Sequence, residues 1–313
     1  MSRRRREKDQ GFVLDDIRYA HPKPFQLTEK ELGAIHSATL EVLSQVGIKM
    51  ESPRARGYFT AAGAHVEGEI VKIPEHIVND AIHSAPSVLH LAARDEKDDY
   101  VIEPGKTAFI TFGEGIAVID PYTKEYRRST TEDLARITKI TDYLKILPVG
   151  FRAVAATDKA PHMQALYNAE VMFTNTSKHW FMGPDGGYNA KAIIEMAAAI
   201  SGSKEKLRER PIFTFNVCPT SPLQLNPTTT DGMIEGALAG IPVNIISMAL
   251  AGATAPVTIA GTLVTHNAEV LSALTLMQLV TKGAPCLYGS STSIMDVIHL
   301  TTPVGSPELA MIS

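Results

Sequence analysis

From Lys106 onward the chain alternates short, unbroken apolar runs with longer segments of helical period, and this alternation constrains the fold more than any other feature. A strand with one wet face shows a polar residue at every second position. A run that is apolar throughout must be covered on both faces, as in a parallel sheet whose strands are joined by helices. Six such units can be read. Thr107 to Phe112 leads, through a hairpin over Asp120 to Arg127, into a helix from Thr131 to Lys145. Val149 to Ala156 leads to Met163 to Asn175, and His179 to Met182 leads to Ala190 to Ser201. Ile212 to Cys218 leads to Thr229 to Ala239, Val243 to Met248 leads to Pro256 to Val280, and Cys286 to Tyr288 leads to a helix opening near Ser306.

Six units fit a doubly wound sheet or an eight-unit barrel that lacks its last two. Ser306-Pro307-Glu308 has the marks of a helix start: an N-cap hydroxyl, proline at the first helical position and an acid at the positive dipole end. Only Leu309 to Ser313 follow, too few to make a stable helix. The expectation is an α/β fold, a (β/α)8 TIM-type barrel truncated after about six βα units. An N-terminal helical cap precedes it. Thr28 fits an N-cap for a helix from Glu29 to Val46 that Gly47 stops, and a second helix spans Pro74 to Ser84. Residues 1–104 are assigned to tail and cap, and 105–313 to the incomplete barrel.

With 313 residues and 44% hydrophobic content the chain can bury a large core, which excludes disorder as a description. A net charge of -4 gives no electrostatic case for nucleic acid or an anionic membrane as partner. Arg3 to Arg6 read as a solvated tail, because Glu7 to Gln10 supply no apolar signal core. Cys218 and Cys286 form no CxxC pair, so a disulfide framework or structural zinc is not expected, and a reducing, cytoplasmic setting is. Val257 to Val280 is long enough to raise the transmembrane question, yet His266, Asn267 and Glu269 at its centre mark a buried helix instead.

In an α/β barrel the reacting groups sit on the loops after the strands. Phe112-Gly113-Glu114-Gly115, Asn216 to Pro222, Ser247 to Gly252 and Tyr288 to Ser293 are rich in small and hydroxylated residues, with Glu114 and Asp296 as the main acids. Gly113 and Gly115 do not make a dinucleotide fingerprint, since Val118 stands where a third glycine is needed. Cys218 is a small core residue or a nucleophile, and no histidine occupies a recognisable partner position. His266 and Glu269 could ligate a metal, but read more simply as a hydrogen-bonded polar pair within one helix; no metal site is assigned. Among the strand aromatics Phe112, Phe151, Trp180, Phe181, Phe215 and Tyr288, two or three could box a methylated ammonium. Position on the barrel nominates Glu114, Tyr288 and Ser290 as catalytic, with Phe112, Phe215, Cys218 and Ser247 lining the substrate. Glu114 would set local charge, and Tyr288 and Phe112 would face methyl groups.

At these loops the sequence resembles the trimethylamine:corrinoid methyltransferase family. The resemblance is carried by Cys218-Pro219-Thr220-Ser221-Pro222-Leu223, Gly240 to Asn244, Ser247-Met248-Ala249, Ala260 to Leu271, Tyr288-Gly289-Ser290-Ser291-Thr292 and Pro303 to Leu309. Ala260 to Leu271 and the last two segments are the most specific, and a weaker likeness reaches back to the helix at Thr28. What the resemblance implies is a (β/α) barrel that moves a methyl group from trimethylamine to the Co(I) of a separate corrinoid protein and releases dimethylamine. Its cofactor, the corrinoid, is carried by that partner and none is bound directly. In trimethylamine members the central residue is pyrrolysine, on the next βα unit beyond Ser313. Addition of the amine to its ring imine makes a quaternary ammonium whose methyl can be attacked in line; Ser290 would hydrogen-bond that residue. The partners implied are a cognate corrinoid protein, a small methylated amine and further copies of the chain in a homo-oligomer.

Three alternatives stay open. A pyrrolysine-free relative would demethylate an amine that is already quaternary, such as glycine betaine. A non-catalytic fragment, with strand edges and apolar surface open, would be poorly soluble or would oligomerise and at most bind a partner. An unrelated α/β binding protein would share only the architecture.

Overall fold

The computed structural model describes residues 27–312; the Arg3 to Arg6 tail lies outside them. Helix α1 (Glu29–Glu41) opens on a reciprocal capping box, in which the Glu31 amide donates to the Thr28 hydroxyl and the Thr28 amide donates to the Glu31 carboxylate at 2.7 Å. It widens into a π turn over Val42–Val46 and stops at Gly47, whose φ of 82° and whose approach to the Val71 carbonyl leave no room for a Cβ. Strand β1 (Ile48–Met50), helix α2 (Pro53–Ala61), strands β2 (His65–Glu67) and β3 (Ile70–Lys72), helix α3 (Glu75–Ser84) and strands β4 (Leu89–Leu91) and β5 (Tyr100–Ile102) follow. The expected helical cap is therefore a mixed unit, with β1, β3 and β2 in an antiparallel sheet. Its strands are three residues each, too short for a period of two to declare itself in the sequence.

Strands β6 (Ala117–Ile119) and β7 (Tyr126–Arg128) form the expected hairpin. After them come α4 (Thr131–Tyr143), β8 (Val149–Phe151), α5 (Gln164–Asn175), β9 (His179–Met182), α6 (Gly187–Ser201) and α7 (Lys204–Glu209). The chain continues with β10 (Phe213–Val217), β11 (Gln224–Leu225), α8 (Pro227–Ala239), β12 (Val243–Ser247), β13 (Leu250–Ala251), α9 (Ile259–Val280), β14 (Cys286–Ser290), β15 (Ser293–Ile294) and α10 (Pro307–Ile312). Strands β8, β9, β10, β12 and β14 make one sheet in which every neighbouring pair is parallel and spatial order follows chain order. A doubly wound sheet reverses its order at a switch point and this one does not; with all strands parallel the βα loops lie at one end, and the unreversed order sets successive loops side by side. The result is a mixed α/β fold with a curled parallel sheet, a half-barrel.

The strand expected at Thr107 to Phe112 is displaced. The segment that runs beside β8 is Thr111 to Gly115: the Glu114 amide donates to the Arg152 carbonyl at 2.8 Å, the Gly115 amide to the Ala153 carbonyl at 2.9 Å, and Gly115 bridges Val154 in parallel. Gly113 is needed there because the Phe151 ring lies 2.1 Å from where a Cβ would stand.

The two faces of the sheet separate by residue parity. Trp180, Met182, Phe213, Phe215, Val217, Val243 and Ile245 face the helical layer and join the largest apolar cluster, which also takes in Leu43, Ile48 and Phe59 of the N-terminal unit. On the inner face Val149, Phe181, Phe151 and Leu287 pack against Leu91, Tyr100 and Ile102, so the β4–β5 hairpin floors the sheet at the start of its strands. His179, buried there, bonds the Ala92 carbonyl through Nδ1 and the Thr214 hydroxyl through Nε2. Strand β11, in the loop after β10, pairs in parallel with β1 and ties that loop to the N-terminal sheet. Helix α9 packs on β12 and β14 on one side and on α1, α2 and α3 on the other. Among the described residues no helix is long and apolar enough to cross a membrane.

Candidate functional site

At the ends of β9 and β10, Glu114, Gly183, Asp185, Asn216, Cys218 and Thr229 line a cleft of about 190 Å³. Larger hollows, of about 470 and 430 Å³, lie between α3 and α9 and among α6, α7 and α8. Those are grooves in the outer helical layer, whereas the smaller cleft stands where loops from successive parallel strands meet, and in this class of fold that place decides.

Glu114 holds a left-handed backbone, φ 72°, on one side of the cleft, and Asp185, φ 46°, does so on the other. Side chains pay for that conformation in strain, which persists where surrounding bonds over-determine it. For Glu114 the bonds are the ladder to Arg152 and Ala153 just described, together with an ion pair from Arg152 Nη2 to Glu114 Oε1 at 2.9 Å. The Arg152 side chain is 9% exposed and that of Glu114 43%, so the arginine backs the acid while the acid fronts the opening. Asn216 points to the inner face and its Oδ1 accepts from Asn244 Nδ2 at 2.8 Å, which links the end of β10 to the first half of β12. One residue pair below, Phe151 and Phe181 stack with centroids 6.2 Å apart and supply an apolar floor. Burial, with the Glu114 charge adding, pushes the Cys218 thiol up to about 11. It is a protonated thiol at neutral pH, and a weak nucleophile.

Of the residues nominated from sequence, Glu114 and Cys218 meet in this cleft. Ser247, Tyr288 and Ser290 belong to a second group at the tips of β12 and β14, backed by α9. The Ser247 hydroxyl donates to Glu269 Oε2 at 2.7 Å, the Tyr288 hydroxyl donates to Asn267 Oδ1 at 2.9 Å, and Ser290 Oγ accepts from the Thr292 amide at 3.4 Å. Phe112 is exposed outside the cleft, and Phe215 is fully buried in the helical layer beside Gly236 of α8. Neither lines the cleft. His266 and Glu269 are not a pair. Glu269 accepts from Ser221, Leu223 and Ser247, while His266 Nδ1 lies 2.8 Å from the Thr292 hydroxyl and burial lowers its pKa to about 4. Among the described residues no group of three or more His, Cys, Asp or Glu is placed to hold a metal.

Arg152, Asp185, Asn216 and Asn244 were not nominated. For the two asparagines a signal existed: each is an amide side chain inside a largely apolar strand, on the parity opposite to Phe215 and Val243. Asp185 and Arg152 offered none: Arg152 acts through its ion pair to Glu114 on the neighbouring segment, and Asp185 enters the cleft from the loop after β9.

A family model described as trimethylamine methyltransferase (MTTB) matches residues 1–313. A trimethylamine methyltransferase MttB of Desulfitobacterium hafniense is 54% identical over 288 residues, covering 91% of this chain and 58% of that protein. The enzyme of the same name from Methanosarcina thermophila is 41% identical over 293 residues, covering 91% and 61%. A glycine betaine methyltransferase of Desulfitobacterium hafniense is 30% identical over 294 residues, covering 93% and 60%. The chain thus spans 58–61% of the length of these relatives. Among solved structures, the monomethylamine methyltransferase of Methanosarcina barkeri superposes with a TM-score of 0.55 over 87% of this chain and 54% of its own, at 12% identity, a likeness of fold alone.

Proposed function

The chain belongs to the trimethylamine methyltransferase family, and from that premise we propose that it forms the amine-binding part of an enzyme that moves a methyl group from trimethylamine to the Co(I) of a separate corrinoid protein, releasing dimethylamine. What carries this reading is one juxtaposition: strand tips at Glu114, Gly183 to Asp185 and Asn216 to Cys218 converge on a single small cleft flanked by two acids. Such a cleft suits a small cation or an amine becoming one, and it disfavours a ligand carboxylate. The 54% identity to a trimethylamine enzyme, against 30% to a glycine betaine enzyme, points the same way.

The residues of this chain bind and orient. Arg152 holds the Glu114 carboxylate at the opening, the Asn216–Asn244 bond holds β10 and β12 in register on the inner face, and the Phe151–Phe181 stack supplies apolar surface beneath. A corrinoid ring is far larger than a cleft of about 190 Å³, so its carrier would dock from outside and present Co(I) as the nucleophile. Activation of the neutral amine is assigned to a pyrrolysine in the part of the relatives that this chain does not span. In the same reading the half-barrel is the larger part of an eight-unit barrel, with β14, paired only to β12 among the described strands, as the edge that receives the next strand. A homo-oligomer is supported by the exposure of Val257, Ile298, Leu300 and Val304, and a reducing cytoplasmic setting by two free thiols.

The test uses the full-length enzyme, its corrinoid protein in the Co(I) state, and either trimethylamine or glycine betaine. Dimethylamine formation that depends on the corrinoid protein, with betaine inert, is expected. Consumption of betaine with trimethylamine inert would replace this reading by the quaternary-amine one.

A further inference from the structure

Helix α9 carries three polar residues in one turn, His266, Asn267 and Glu269, inside a segment that is otherwise apolar and buried. None lines the cleft. From the helical side, Glu269 reaches the loop after β10 and the end of β12, while His266 and Asn267 both reach β14 and the loop that follows it. The Glu269 carboxylate, fully buried, accepts from the Leu223 amide at 2.9 Å and from the Ser221 hydroxyl at 2.8 Å, both in the loop after β10, and from the Ser247 hydroxyl at the end of β12. The Thr292 hydroxyl, in the loop after β14, lies 2.8 Å from His266 Nδ1 and 3.3 Å from the Ser247 carbonyl. Asn267 accepts from Tyr288 and donates to Thr39 of α1 at 3.1 Å. A continuous polar seam thus runs behind three successive strand tips, and Glu269 is the one member that holds two of them at once.

This arrangement is costly unless it does something. A carboxylate taken out of water without a cation beside it loses hydration that three donors must replace. An apolar residue would pack α9 against β12 at no such cost. What the carboxylate adds is geometry: its two oxygens fix Leu223, which has φ 54°, and Ser247 relative to each other. Asn216, near the end of β10, and Cys218, at the start of the loop that carries Ser221 and Leu223, form one wall of the cleft. We propose that Glu269 is a positioning residue, a clamp that holds the β10 and β12 loops in the arrangement the cleft requires. This rests on the functional reading only for what the cleft binds; the clamp itself is a statement about the loops.

The test compares Glu269→Ala, Glu269→Gln and the gentler Ser221→Ala in the full-length protein, with two readouts. Backbone amide exchange reads the clamp without any substrate. Glu269→Ala is expected to speed exchange at Leu223 by about 10- to 100-fold, and at the Ser291 and Ser293 amides that lean on the β12 tip, while α4 and α5 amides keep their rates. Glu269→Gln, which keeps one acceptor oxygen for Leu223, is expected to recover most of that protection, and Ser221→Ala to lose part of it. In the methyl-transfer assay the Ala variant is expected to lose kcat more than it raises KM, with Gln intermediate. Unchanged exchange at Leu223 in Glu269→Ala, or equal acceleration in every helix, would overturn the clamp. If the unaltered full-length enzyme does not demethylate trimethylamine, the functional reading fails while the exchange result still judges Glu269.

Discussion

Cys218 and His179 show how far burial alone sets the chemistry of a side chain here. With the Cys218 thiol near 11, alkylation by iodoacetamide is expected to climb across pH 8 to 11 without a plateau; saturation near the ordinary thiol value would mean that the cleft wall is more open than described. His179, enclosed between Ala92 and Thr214, is held at about 4 by burial, against an ordinary value of 6.5. A folded-state value below the unfolded one means that the unfolded chain takes up the proton first. Stability is therefore full above about pH 6.5 and falls as the pH drops toward 4, by on the order of 3 kcal/mol from this residue. Urea denaturation at pH 7.5, 5.5 and 4.5 reads that slope, and His179→Gln is expected to reduce it, with the similarly buried His266 keeping its own share; a slope unchanged in the variant would contradict the assignment. Glu114 and Cys218 meet in the cleft, Cys218 directly after β10 and Glu114 within the segment that pairs beside β8. Phe112, Phe215 and Tyr288 lie outside that cleft, and in a run apolar at every position nothing tells which parity faces inward.

Strands and helices long enough to carry a period were legible almost to the residue, His179–Met182 and the buried α9 among them. The three-residue strands of the N-terminal unit were not, since their pairing comes from partners elsewhere in the chain, as when β1 takes β11. The packing between elements makes sharper predictions than their boundaries do. Trp180 on β9 lies over Gly150 on β8, its ring atoms 2.0 to 2.5 Å from where a Cβ would be, so Gly150→Ala must push the largest core side chain off its seat. A loss of about 1–3 kcal/mol is expected in chemical denaturation. Leu276→Ala, in the fully buried stretch of α9, is expected to cost about 2–5 kcal/mol by the cavity it leaves. If both variants melted like the parent, the sheet and its helical layer would not be in the contact described.

For the molecule as a whole, strand order matters more than strand number. Because the parallel strands follow chain order without reversal, loops separated by a hundred residues, at Glu114 and at Cys218, come to the same opening, and a shared floor and a shared clamp become possible. The same order leaves β14 with an edge and the loop from Val297 to Val304 with exposed apolar side chains, the surfaces on which further chain or a second copy would close. All functional assignments depend on the small cleft, not the wider helical grooves, being the place where the amine sits. A crystal structure of the full-length protein soaked with tetramethylammonium, which mimics the proposed methylated substrate and keeps its methyl groups in the absence of Co(I), tests this directly. The cation is expected between Glu114, Asp185, Asn216 and Cys218; finding it only in the grooves beside α3 or α6, with the cleft empty, would contradict the site.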